Sequence, residues 1–155
     1  MPDRSHIGRR YRTAGQLVEA QRAALFAAAV SGGDEVFDPG SIPPTFAAVY
    51  CLMPTLALLF ADVEVGISLA GLVHAEQSFE WPAPLHAGDV VDAVAEIASV
   101  ERRRGLTFVT VRLEAANQAG EAVCRGRSLF LIRGPGDEPS MVVESNGPRG
   151  AESRG

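Results

Sequence analysis

The chain has 155 residues, 46% of them hydrophobic and 21% charged, with a formal net charge of -5. That is enough for one domain with its own core, and it excludes the strongly basic surface that nucleic acid demands. All 14 basic residues are arginine, so no lysine is present for Schiff-base chemistry.

The first residues, MPDRSHIGRRYR, lack the apolar stretch of a signal peptide, and the expectation is a cytoplasmic protein. Thr13 is placed as the N-cap of a first helix, with Leu17, Leu25, Phe26 and Val30 near one face and Gly32-Gly33 at its end. The joining segment 31–46, SGGDEVFDPGSIPPTF, offers an acid, Asp34, and a hydroxyl, Ser41, but no histidine. An apolar run over about 45–60 then predicts a helix, since Pro43-Pro44 suit a first turn whose amides lack partners. Residues 43–61 approach the length and apolarity of a membrane span. Pro54 in the interior and the absence of flanking arginines favour a buried core helix, with no membrane partner. Pro54 costs that helix a hydrogen bond and predicts a bend compensated by neighbouring contacts. A helix apolar on every side must also be wrapped.

The wrapping follows in the sequence. Residues 71–81 read as a strand broken by Pro82 and Pro84 before the turn Ala87-Gly88-Asp89. Three longer strands are predicted over 90–103, 106–117 and 122–133, joined by Arg104-Gly105 and Gln118-Ala119-Gly120. In the last strand Ala122, Cys124, Gly126 and Ser128 share a face and are all small, as a sheet pressed against a helix requires. The class is therefore α+β, a curved antiparallel sheet around one long helix, in a domain over 1–133. Residues 134–155, rich in Gly, Pro, Ser and Glu, are read as a disordered tail. Cys51 and Cys124 match no metal or redox spacing and are read as buried free thiols, with no metal and no cofactor expected.

This arrangement is the hot-dog fold, and several segments resemble its MaoC-like dehydratase branch. They are GRRYR at 8–12, RAALFAAAVSGGD at 22–34, IPPTFAAVY at 42–50, LVHAEQSFEWPAPLHAGDVV at 72–91 and the closing RGRSLFLIRG. The stretch LVHAEQSFEWPAPLHAGD is similar to the strand-turn signature of N-terminal MaoC-type dehydratase domains. In catalytic members, the resemblance implies, a Gly-Asp-x-Asn-Pro-x-His loop supplies an Asp/His pair that hydrates an enoyl thioester or dehydrates the hydroxyacyl product. Such chemistry needs groups tuned to move protons at the α carbon and the β oxygen, with amides at the helix start to hold the enolate-like charge.

This chain departs from that pattern. Gly33-Asp34 match the family's Gly-Asp, but Val36, Phe37 and Pro39 stand at the Asn, Pro and His positions. Matching Asp38-Pro39 to Asn-Pro instead puts Val36 at Asp and Ser41 at His. Pro44-Thr45 replaces the His-Gly at the start of the family's central helix. The chain therefore resembles the HadA-like non-catalytic subunit of heteromeric dehydratases. That resemblance implies a homologous catalytic hot-dog partner and an acyl-carrier-protein or acyl-coenzyme A thioester as substrate. It places substrate contacts at Ser41, Pro44, Thr45, Phe46 and His74, and no catalytic residue beyond Asp34 as a residual candidate.

Simpler roles stand beside these. Asp34 after two glycines suits a turn, His74 a structural hydrogen bond, and His6 and His86 solvent. The run Arg102-Arg103-Arg104 suits a solvated hairpin tip, while Arg125 and Arg127 suit a subunit interface. Two other functions remain open: a self-sufficient thioesterase or hydratase using Asp34, Glu76 or Glu80, and a non-enzymatic acyl-binding protein.

Overall fold

The computed structural model describes residues 1–31 and 42–134. Asp34, Ser41, the alternative loop registers and the tail read over 134–155, save Gly134, lie outside the described residues.

The segment expected to start a helix at Thr13 is instead a strand, β1 (Arg10–Leu17), and the helix α1 spans Ala20–Val30. The strand wins because Tyr11 and Val18 bury on the core while β1 pairs antiparallel with a later strand. Helical spacing of Leu17 and Leu25 carried no packing: both are exposed. The bulge between Thr13 and Gln16 hides the strand's alternation from the sequence.

The central helix runs through residues 44–61, in three conformations: a 3-10 turn (Pro44–Phe46), a π segment (Ala48–Leu52) and α2 (Met53–Ala61). The wide turn lies just before Pro54, whose ring in a regular α turn would strike the Tyr50 carbonyl four residues back. The expected compensation is present: the Gln16 side-chain amide donates to Tyr50 O at 2.7 Å. By length and composition alone this run could cross a bilayer. Here Phe46, Tyr50, Cys51, Leu56 and Leu59 bury against the sheet. The helix is wrapped on that side only, for Met53 is 63% and Leu58 43% exposed.

The remaining strands are β2 (Leu72–Glu80), β3 (Val90–Arg103), β4 (Leu106–Ala116) and β5 (Ala122–Arg133). They form one antiparallel sheet in the order β1-β3-β4-β5-β2, so β1 and β2 are its edges. The turn Arg104-Gly105 closes β3 to β4 with both residues at positive φ, 51° and 79°. On the concave face Ala93, Ala95, Ile97, Val109, Val111, Leu113, Cys124 and Phe130 are buried against the helix, as period-2 alternation demands. Cys51 and Cys124 are free and buried, and the neighbouring Cys124 thiol, together with burial, pushes the Cys51 thiol up.

Gly126 is small for a reason other than the helix. A Cβ there would stand 2.9 Å from Ser78 O and 3.0 Å from the Phe79 ring, both on the neighbouring β2. On the convex face, ion pairs join neighbouring strands: Glu96 with Arg10 and Arg112, Glu114 with Arg125, and Glu76 with Arg127. Arg125 and Arg127 thus have cross-strand partners within the chain, and Arg103 pairs with Glu101 at the exposed hairpin tip.

Candidate functional site

The start of the central helix faces the loop that follows β2. Between them lies a cleft of about 350 Å³, lined by Ile42, Pro43, Pro44, Tyr50, Trp81, Ala83, Pro84, Leu85, His86 and Val123. Its size and apolar walls suit a small-molecule group. Pro43, Tyr50, Ala83 and Val123 are its buried members, and desolvation pushes the Tyr50 hydroxyl well up.

The sequence brings these walls together by two devices. Pro43-Pro44 open the helix, and Pro44 lies at the N-terminus of the 3-10 turn, where a missing N–H costs nothing. The facing loop is tied down by Asp89, whose side chain accepts from His86 N at 2.8 Å and from Gln118 Nε2 at 2.9 Å. Its backbone joins in: Val18 N donates to Asp89 O, and Gly88 N to Val18 O, each at 2.8 Å. The carboxylate is held below its ordinary range, first by the Gln118 amide and then by the His86 N–H. Gly88 makes the bend at φ 92°, which side chains resist.

Of the described residues expected to touch substrate, only Pro44 lines this cleft, and Ser41 lies outside them. Thr45 is exposed beside it on the same 3-10 turn. Phe46 is buried in the core, edge-on to Phe26 of α1 at 5.4 Å and near Tyr50 at 6.1 Å. His74 lies near the start of β2, its ring 4.6 Å from Phe130, which in turn meets Phe60 at 5.6 Å. Seven residues of strand rise, about 23 Å, separate it from Trp81. Glu76 is exposed and paired with Arg127 at 3.3 Å, and Glu80 is exposed at the end of β2. Neither lines the cleft.

The cleft residues that sequence reasoning did not place in the site are Ile42, Pro43, Tyr50, Trp81, Ala83, Pro84, Leu85, His86 and Val123. One signal was available, an aromatic residue followed by the rigid Pro82-Ala83-Pro84. His86 is exposed, as expected, and it also forms the rim. Its Nδ1 stands 3.8 Å from Asp89 Oδ2, beyond hydrogen-bond reach, and that carboxylate is already committed to the loop. Among the described residues no cluster could hold a metal ion.

A curved antiparallel sheet closed on one central helix, with a cleft at the helix start, defines a hot-dog domain. The chain matches the family model described as the FAS1-like dehydratase domain region over residues 5–125, and it belongs to that family. It is similar to a UPF0336 protein of Saccharopolyspora erythraea, 30% identical over 149 residues that cover 88% of this chain and 95% of the relative. Among solved structures it is similar to a chain of the C-terminally truncated HadBC (3R-hydroxyacyl-ACP dehydratase) complex from Mycobacterium tuberculosis. There the TM-score is 0.65 at 26% identity, covering 81% of this chain and 96% of that one. The (R)-hydratase from A. caviae involved in PHA biosynthesis shares the fold, with TM-score 0.54, 22% identity, and 80% and 94% coverage.

Proposed function

We propose that this chain is the substrate-holding, non-catalytic subunit of a (3R)-hydroxyacyl-thioester dehydratase or enoyl hydratase. A homologous hot-dog partner supplies the Asp/His pair. The observation that carries this reading is the cleft itself: it has apolar walls at the start of the central helix, but among the described residues it holds no proton-transfer pair. Hydration of an enoyl thioester requires both a base and an acid within hydrogen-bond reach of the reacting atoms. The 3.8 Å between His86 and the committed Asp89 does not provide them.

The surface supports a partner. Met53 and Leu58 leave one side of the apolar helix open, and β2 presents an edge with no neighbour among the described residues. An open strand edge beside exposed apolar side chains is a surface that natural proteins cover. The likeness to a chain of the HadBC complex favours a second hot-dog subunit as the cover.

The test is turnover of crotonyl and longer enoyl thioesters by the chain alone and by the chain co-expressed with a homologous MaoC-like hot-dog protein that carries the Asp/His pair. Activity only in the pair, unchanged by Asp34→Asn in this chain, is the expected result. Robust turnover by the isolated chain overturns the proposal, and its loss on Asp34→Asn would assign the chemistry to this chain.

A further inference from the structure

Of the buried residues that line the cleft, Pro43, Tyr50, Ala83 and Val123, only Tyr50 carries a polar side-chain atom. Trp81 and His86, the other lining side chains able to hydrogen-bond, are exposed to water. A phenylalanine would fill the Tyr50 position without taking a hydroxyl out of water. That hydroxyl is also poorly matched within the chain. Among the described residues no oxygen or nitrogen accepts from it, and its neighbour is the Cys124 thiol, a weak acceptor. Burial keeps it protonated, so it is a neutral donor at any physiological pH. Its position is held by the Gln16 amide, 2.7 Å from the Tyr50 carbonyl, and by the Phe46 ring, 6.1 Å away at an interplanar angle of 50°. A fixed donor thus stands among buried side chains that are otherwise hydrocarbon.

We propose that Tyr50 reads the ligand: its hydroxyl donates to an acceptor oxygen of the acyl group, so the cleft takes the oxygenated end of a thioester and not a bare hydrocarbon tail. The inference rests on the acyl-holding role proposed for the chain and adds to it the residue that discriminates. Hydrocarbon alone would dry the site and leave the hydroxyl without an acceptor, which weakens binding. An oxygen placed there removes that cost, and a site built this way disfavours the analogue that lacks it. A hydroxyacyl thioester offers two such oxygens, the carbonyl and the 3-hydroxyl.

The full chain, alone and with a catalytically disabled partner, is titrated by calorimetry with S-butyl-, butyryl- and (3R)-hydroxybutyryl-coenzyme A. The first is a thioether and has no acyl oxygen. Tyr50→Phe keeps the ring, and its melting temperature is compared with the parent's. The expected result is an affinity about two- to tenfold weaker for an oxygen-bearing ligand, with S-butyl-coenzyme A unchanged. A loss already present with butyryl assigns the carbonyl as the acceptor, and a loss confined to hydroxybutyryl assigns the 3-hydroxyl; either supports the inference. An equal loss for all three ligands makes Tyr50 a packing residue and overturns it, and so does no loss for any. Absence of binding by all three defeats the acyl-holding reading itself, whereas binding that ignores Tyr50→Phe defeats only the role given to Tyr50.

Discussion

The side-chain amide of Gln16, on an edge strand, donates to the main-chain carbonyl of Tyr50, inside the central helix, at 2.7 Å. Pro54, four residues after Tyr50, has no N–H to offer that carbonyl. The β1 bulge aims Gln16 at it: Gly15 takes φ 68°, its N–H donates to Asp92 at 2.8 Å, and the Gln16 amide also donates to Thr13 Oγ1 at 2.9 Å. The bulge and the π segment are thus two halves of one fitting between strand and helix.

Gln16→Leu leaves the Tyr50 carbonyl without this donor and should cost about 1–3 kcal/mol in urea unfolding. Pro54→Ala restores a backbone amide at the same place. In the Pro54→Ala background Gln16→Leu should therefore cost less than it does beside Pro54, and an equal cost in both backgrounds would dissolve the link between them.

Gly126→Ala pushes a Cβ into Ser78 O and the Phe79 ring. The backbone oxygen cannot rotate away, so β2 has to shift. A loss of about 1–3 kcal/mol is expected. Amide exchange should speed up first in Leu72–Glu80, and uniform acceleration across all five strands would contradict a clash confined to β2.

Two carboxylates make stability depend on acid. Asp62 is held below its ordinary range, chiefly by the Tyr11 hydroxyl at 2.8 Å, and Asp89 is lowered by Gln118. Because both folded values lie below the unfolded ones, their contribution is complete above the unfolded value of about 3.9. It disappears as pH falls through the folded values. Urea midpoints should be insensitive to these groups at neutral pH and decline below about pH 4. The decline should be shallower in Asp62→Asn and Asp89→Asn.

Met53→Arg and Leu58→Arg place charge on the open side of the central helix. Each is solvated in the isolated chain, so circular dichroism and melting should change little. Co-purification with the partner subunit should be lost. Retained association would move the interface away from this helix.

The meander of β3, β4 and β5 was legible because alternation and turn residues are local signals: Arg104-Gly105 needs no distant contact to form. The identity of β1 was not legible. Thr13 and Leu17 fit a capped helix as well as a strand, and only pairing with β3 and burial of Tyr11 decide between them. Pro54 announced a disturbance in the helix, but its form, a widened turn met by Gln16, depends on a residue 34 positions before Tyr50 along the chain. The site divides similarly. Pro44 could be placed from its neighbours, whereas Trp81 and Val123 become cleft walls only when the end of β2 and the start of β5 meet. Phe46 belongs to the core because Phe26 of a separate helix covers it.

The clasp around Asp89 bears on the thermodynamics of ligand capture. The loop opposite the helix start is fastened to the β1-α1 junction through Val18 and to the β4-β5 turn through Gln118, and it carries two prolines. Most of its conformational entropy is thus surrendered when the protein folds. A ligand arriving later finds one wall already rigid and gives up little affinity to freeze it. Loosening the clasp with Gln118→Ala should therefore weaken binding through entropy, with no contact to the ligand removed.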